Sequence, residues 1–520
     1  MTAQHYDVII IGTGAGGGTL AYRLAFSGKK ILILERGTFL PIEKENWSAL
    51  EVYQRERYHT QERWYDTNGK TFRPATGYWV GGNTKVYGAA LLRLRERDFE
   101  QVEHKEGISP EWALKYRDFE PYYDRAEELY DVHGQSGIDP TEPPRSLPYP
   151  YPAVRHEPRM QELANLLTQV GLHPFNLPLG LKLNEVDRSL ENCIRCNTCD
   201  GFPCLTRGKA DAEVNCIQPI RDRTNVTLLV AAKVTRLHTS PSGREIARVE
   251  AEINGEHQFF TSDIVVVACG AINSAALLLR SRNDRHPSGL ANSSGQVGRN
   301  LMKHNCTAMV QLSTKLNSDV YQKTICISDF YWGELSFPYP MGLVQNTGNV
   351  LADMLPAQAP ALLAPLLKLR PGAELKAIAD RSVGWWLQTE DLPDPDNRVR
   401  VEGDRLYLEY KPNNTDAASR LIQRWATVLK QVDRAEHFIP FSLYPRNTIP
   451  LQAVGHQCGT CRFGEDPTTS VLDLNCRTHE IDNLYVVDGS FFPSSAAVNP
   501  TLTIVANALR VGDYLLKQLM

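Results

Sequence analysis

Two short runs near the start of the chain, Val8-Ile9-Ile10-Ile11 and Ile31-Leu32-Ile33-Leu34, are apolar at every position. Unbroken apolar runs of this length predict strands buried on both faces, as in a parallel sheet with helices on either side. Between them lie a glycine turn, Gly12 to Gly18, and a stretch carrying Leu20 and Leu24 at helical spacing. The opening therefore reads strand, turn, helix, strand. The same texture returns at Val226 to Leu229, at Ile264-Val265-Val266-Val267 and at Leu484-Tyr485-Val486-Val487, the last followed by a helix from about Pro500 to Leu516. One α/β lobe is thus predicted from separated segments.

The intervening sequence differs. Residues 38–90 read as a loop-rich excursion, 111–132 as a helix, and 140–158 as a proline-rich connection in which missing amide donors forbid regular helix. From about residue 303 to 445 polar and apolar positions alternate, most clearly from Arg398 to Tyr410, which predicts a separate lobe on a mostly antiparallel sheet with helices. The expected organisation is a Rossmann-like domain over residues 1–305, with excursions at about 38–225, a second domain over 306–445, and a return to the first over 446–520.

Composition narrows the classes. With 42% apolar and 22% charged residues and a formal charge of -4, the chain is an ordinary globular one without the basic surface that nucleic acid requires. No segment reaches the roughly 18 uninterrupted apolar residues of a membrane span. No signal-like segment precedes the first strand, so the eleven cysteines are expected in a reducing, cytoplasmic setting.

Gly12-Thr13-Gly14-Ala15-Gly16-Gly17 sits between strand and helix, where the chemistry of dinucleotide binding needs it. Gly12 permits the turn, Gly14 and Ala15 bring backbone to a pyrophosphate at the helix N-terminus, and Gly17 allows the helix to pack on the strand. Glu35, followed by Arg36, ends the second strand at the distance where an acid reaches the adenosine ribose. FAD and NAD share this pattern.

The rest of the chain decides between them. His456-Gln457-Cys458-Gly459-Thr460, then Asn483 through Ser490 with Asp488-Gly489, then Asn499-Pro500-Thr501-Leu502-Thr503, resemble in order and spacing the signature of the glucose-methanol-choline (GMC) oxidoreductases. Gly270-Ala271-Ile272-Asn273-Ser274 and Gly298-Arg299-Asn300-Leu301 resemble the family's middle motifs. The likeness runs from residue 8 to 512 and lapses between about 306 and 445. It implies an FAD-binding domain and a substrate-binding domain, FAD as cofactor, and oxidation of an alcohol or sugar with oxygen or another acceptor taking the electrons. Gly81-Gly82-Asn83 resembles the family's second flavin loop, with Tyr87 where many members have Asn. Val86 stands where covalently flavinylated members carry histidine, so FAD is expected to be noncovalent. Val234 joins the expected flavin set. The pair His456 and Asn499 is similar to that of pyranose oxidase-like and cholesterol oxidase-like members.

Imidazole titrates near working pH, so His456 is the expected proton acceptor. Asn499 and Pro500 also suit an N-cap and a first helical position, which would set a helix N-terminus with its partial positive charge at the site. Trp385, Trp386 and Tyr410 suit a sugar pocket and core packing equally. Cys193, Cys196, Cys199 and Cys204 are spaced like an iron-sulfur run, yet thiols, disulfides or zinc also accommodate them. Cys458 and Cys461 read as packing. Two rival functions remain at this level: a flavin-binding electron-transfer subunit acting through the cysteine loop, and an NAD(P)H-linked flavin reductase.

Overall fold

The apolar runs form the predicted parallel sheet. Gln4–Ile11 is central, with Ile31–Leu34 parallel on one edge, Ile9 opposite Leu32, and Glu256–Val267 parallel on the other, Ile10 opposite Val266. Val226–Leu229 extends the sheet beyond Ile31–Leu34. Val8, Ile9 and Ile10 have no exposed surface, and the helix Ala15–Leu24 packs against this strand and Ile31–Leu34. The computed structural model describes residues 4–184, 186–187, 192–359, 363–436, 444–453 and 455–520, so residues 1–3 and 437–443 of the expected domains lie outside the description.

The strand Glu256–Val267 serves two partners along one edge. Its first half pairs antiparallel with Ile246–Ile253, and its last three residues pair in parallel with Leu484–Val486, Val265 opposite Leu484. That second pairing returns the end of the chain to the glycine turn. The terminal helix Thr501–Leu519 then packs on Ala15–Leu24, with Leu502, Val505 and Leu509 buried in the same core as Leu20 and Leu24.

A second sheet runs Arg446–Thr448, Asn305–Leu312, Ser382–Thr389, Leu343–Asn346, Ile325–Ile327 and Phe175–Asn176, and every pair in it is antiparallel. Segments outside residues 306–445 contribute to this lobe: Phe175–Asn176 forms an edge strand, and the helix Pro158–Gln169 joins Thr415–Glu436 in its core. The alternating stretch near Arg398 is a hairpin, Arg398–Glu402 with Arg405–Glu409. It pairs with Trp64–Asp66 in a separate small sheet rather than with the second sheet.

Period-two alternation separates the two neighbouring tryptophans. Trp385 lies opposite Met309, has no exposed surface, donates to Gln311 Oε1 at 3.2 Å and packs edge-on against Trp425. Trp386 lies on the opposite face, beside Gln345 and in line with Gln388. Trp385 is therefore a core residue and not part of a sugar pocket. Replacing Trp385 with Ala is expected to destabilise the protein by about 3–5 kcal/mol in urea unfolding, with substrate preference unchanged.

Candidate active site

The glycine turn is built by close backbone approach. Gly12 has φ +100°, and a Cβ on it would lie 2.3 Å from the Ala268 carbonyl oxygen; one on Gly17 would lie 2.1 Å from that of Gly12. The helix that follows begins with no side-chain cap and no acid in its first turn, so its free amides suit a pyrophosphate. Gly14 and Ala15 stand at this start. The turn is braced by Glu35, 5% exposed: its Oε2 accepts from Thr13 N at 3.0 Å and Thr13 Oγ1 at 2.6 Å, and its Oε1 from Gly37 N at 2.8 Å. Burial raises the carboxyl pKa, opposed by these hydrogen bonds.

The second glycine loop touches the first. Gly81 N donates to Thr13 Oγ1 at 3.1 Å, and Gly82 approaches Gly14 closely enough that a Cβ would lie 3.0 Å from its Cα. Asn83 Oδ1 accepts from Thr76 at 2.8 Å. Arg36 pairs with Glu62 and lies 3.5 Å over the Tyr78 ring. Val234 is half-buried at a bulge in Ala232–Thr239. These residues fit a dinucleotide cofactor.

The C-terminal segment ties this cradle to the candidate base. A Cβ on Gly16 would lie 2.1 Å from the Val487 carbonyl oxygen. Asp488 accepts from Gly270 N and Ser490 N, both at 2.9 Å, and from the Ser274 and Ser490 hydroxyls. Its carboxylate is thus spent on joining two backbone turns, and burial raises its pKa. Gly489 O accepts from Gly459 N at 3.0 Å, which places the strip containing His456 over the turn.

His456 and Asn499 meet there. Asn499 Nδ2 lies 3.4 Å from His456 Nε2, and Asn499 Oδ1 accepts from Gln345 Nε2 at 3.1 Å, which fixes the way the amide faces. His456 Nδ1 lies 3.1 Å from His304 Nδ1. Burial lowers the His456 pKa to about 3, with repulsion from His304 and Lys323 adding to the shift and Asp200 opposing it. The imidazole is therefore held in its neutral form.

The terminal helix starts one residue later than its sequence suggests. Thr501 is its first residue and Pro500 its N-cap, with the Pro500 carbonyl accepting from Ile504 N at 3.1 Å. Asn499 does not cap the helix; its amide is drawn instead to Gln345 and His456. The helix N-terminus nonetheless lies beside the pair, with no acid in its first turn.

Among the described residues the cysteine segment presents no built metal site. Among the described residues no group of three or more His, Cys, Asp or Glu side chains is arranged to hold a metal, and Cys193, Cys196, Cys199 and Cys204 are free thiols. Iron-sulfur and zinc therefore find no built ligand set here. What the segment does is position Asp200. Lys209 Nζ donates to the Cys199 and Phe202 carbonyls, each at 2.7 Å, and Tyr53 OH to the Asp200 carbonyl at 3.0 Å. The Asp200 carboxylate then takes a hydrogen bond from Lys323 Nζ at 2.7 Å, the same two charges that His456 senses. Cys458 and Cys461 are fully buried and pack.

Sequence reasoning missed His304, Gln345, Gln388 and the Asp200–Lys323 pair. Gln345 and Gln388 share the sheet face of Trp386, where Gln345 Oε1 and Gln388 Nε2 are buried without a protein partner. Tyr410, expected in a pocket or the core, donates to Asp391 Oδ2 at 2.8 Å.

Comparison with known proteins agrees with this arrangement. Models of the GMC oxidoreductase family match residues 6–306 and 393–508. The 6'''-hydroxyparomomycin C oxidase of Streptomyces lividus is 31% identical, covering 97% of this chain and 90% of that protein. The 2-methyl-1,2-propanediol dehydrogenase of Mycolicibacterium austroafricanum is 27% identical over 99% and 96% of the two chains. Among solved structures, pyridoxine 4-oxidase from Mesorbium loti shares the fold, with a TM-score of 0.67 at 18% identity, covering 98% of this chain and 99% of that one. The chain belongs to the GMC oxidoreductase family and is an FAD-dependent oxidoreductase.

Proposed function

We propose that the protein oxidises a CH–OH group of a sugar, glycoside or related polyol to a carbonyl, with His456 as base and Asn499 as hydrogen-bond donor to the same oxygen. The observation that carries this reading is the convergence of His456 Nε2 and Asn499 Nδ2, 3.4 Å apart, beside the cofactor cradle and an uncapped helix N-terminus. Bound FAD would supply the hydride acceptor, and Gly12, Gly14, Ala15, Gly17, Glu35, Arg36, Gly81, Gly82, Asn83, Val234, Asp488, Gly489, Asn499, Pro500 and Thr501 are the residues assigned to hold it. Val86 offers no nucleophile for a covalent link, which supports noncovalent binding.

The protein's part is to place the alcohol and move its proton. The hydroxyl donates to the Nε2 lone pair while Asn499 Nδ2–H donates to the oxygen, stabilising the negative charge that builds there as the proton leaves. The N-terminus of Thr501–Leu519 adds partial positive charge at the same place. Trp386 supplies a flat apolar face, and Gln345 Oε1 and Gln388 Nε2 supply polar groups without protein partners, which together suit a polyhydroxylated substrate. Relatives named 6'''-hydroxyparomomycin C oxidase and paromamine 6'-oxidase support a glycoside. The eleven free thiols fit a reducing compartment such as the cytoplasm.

Anaerobic titration of the purified flavoprotein with sugars, glycosides and simple alcohols tests the assignment: a member of the panel is expected to bleach the flavin absorbance. Bleaching by NAD(P)H with no response to any alcohol would overturn it. His456→Gln is expected to keep its flavin and lower the rate of flavin reduction by about 10²–10⁴-fold. Because the folded His456 pKa of about 3 lies below the ordinary 6.5, the base stays unprotonated as pH falls from 7 to 5. kcat/KM is therefore expected to show no acid limb near 6.5, and a limb there that vanishes in His456→Gln contradicts the neutral-base reading. Gln388→Met is expected to raise KM by about 3–10-fold, as loss of one neutral hydrogen bond implies, with kcat little changed.

A further inference from the structure

We infer that His304 is a positioning residue which holds His456 in the tautomer protonated on Nδ1, so that Nε2 faces the substrate hydroxyl as a lone pair. The inference rests on His456 being the base.

The argument follows from what each atom can do. His304 Nε2 lies 3.0 Å from the Ser495 carbonyl oxygen, which only accepts, so the His304 proton sits on Nε2. His304 has no exposed surface, and burial lowers its pKa, so the ring is neutral and its Nδ1 is an acceptor. The partner of that acceptor, 3.1 Å away, is His456 Nδ1, which must carry the hydrogen. A neutral His456 protonated there has its lone pair on Nε2, the nitrogen beside Asn499. The two rings stand nearly perpendicular, at 87°, with centroids 5.1 Å apart, as an in-plane nitrogen-to-nitrogen contact between crossed rings allows. When Nε2 takes the proton, the Nδ1–H bond to His304 becomes charge-assisted and strengthens.

The backbone supplies an independent observation. His304 has φ +63°, a left-handed conformation that costs energy in a residue with a side chain. It is held there by Asp391, whose two carboxylate oxygens accept from His304 N and Lys303 N, each at 2.8 Å. Asp391 Oδ1 also accepts from Ser495 Oγ at 3.2 Å, so one carboxylate sets both the ring's backbone and the residue whose carbonyl orients it. The strain is maintained at the one place where the ring must reach His456.

Two conservative variants separate this role from simple bracing. Asn places an acceptor oxygen where His304 has Nδ1 and tolerates positive φ; Gln places a donor where His304 has Nε2. His304→Asn is expected to keep kcat within about threefold while lowering the melting temperature, because the Ser495 carbonyl loses its donor. His304→Gln is expected to keep the fold and the flavin but lose kcat by about 10–100-fold, as for lost partners of other functional histidines, with KM within about threefold. The reverse pattern, Gln active and Asn inactive, would show a brace for Ser495 and overturn the inference. Equal losses in both variants, or full activity in both, would overturn it as well. His456→Gln run in parallel distinguishes the two levels: if it turns over normally, the base assignment itself fails, whatever His304 does.

Discussion

The site depends on one stretch of backbone pairing. Val265 to Val267 hold Leu484–Val486 in parallel register, and the hydrogen bond from Val487 N to the Val267 carbonyl at 3.1 Å extends it by one residue. From that anchor Asp488 reaches Gly270 and Ser274, Gly489 receives the strip bearing His456, and Asn499 arrives at the same imidazole. A nitrogen must sit within a few tenths of an ångström of its working position to accept a proton. Here His456 and Asn499 both lie on irregular segments, and the paired strand Leu484–Val486 anchors the stretch of chain between them.

The second organising element is economy among buried carboxylates. Glu35, Asp488 and Asp391 each take hydrogen bonds from backbone amides and hydroxyls on different segments, and each is buried. A buried carboxylate without donors would be prohibitively costly, so these acids stay in the interior only because the turns they gather supply the donors. The glycine turn, the junction beneath His456 and the left-handed backbone at His304 are thereby coupled to three side chains.

Much of this was legible in the sequence because it is local. A glycine turn between two apolar runs has one physical reading, and the α/β texture of the separated segments declared the first sheet. The pairing of His456 with Asn499 came through resemblance, since 43 residues separate them. What the sequence concealed is tertiary. Nothing adjacent to His304 marks it as the partner of His456, and Gln345 looks like any strand residue until its strand lies beside Asn499. Trp385 and Trp386 differ only in which side of the strand faces the helix Thr415–Glu436. The cysteine spacing suggested metal chemistry, but among the described residues no ligand set is built there, and the neighbouring Asp200 pairs with Lys323. Asn499 was expected to cap a helix on propensity; two competing side chains took its amide, and the helix begins at Thr501.

The pairing of residue 265 with residue 484 also bears on how the protein comes into being. A chain growing on the ribosome finishes the strand Glu256–Val267 more than 200 residues before its partner exists, leaving that part of the edge unpaired throughout synthesis of the second lobe. Contacts so distant along the chain slow folding and leave strand edges open to other chains. The first sheet therefore closes only once residues 484–486 have been made, and a nascent chain stopped short of them is a candidate for chaperones rather than for cofactor loading.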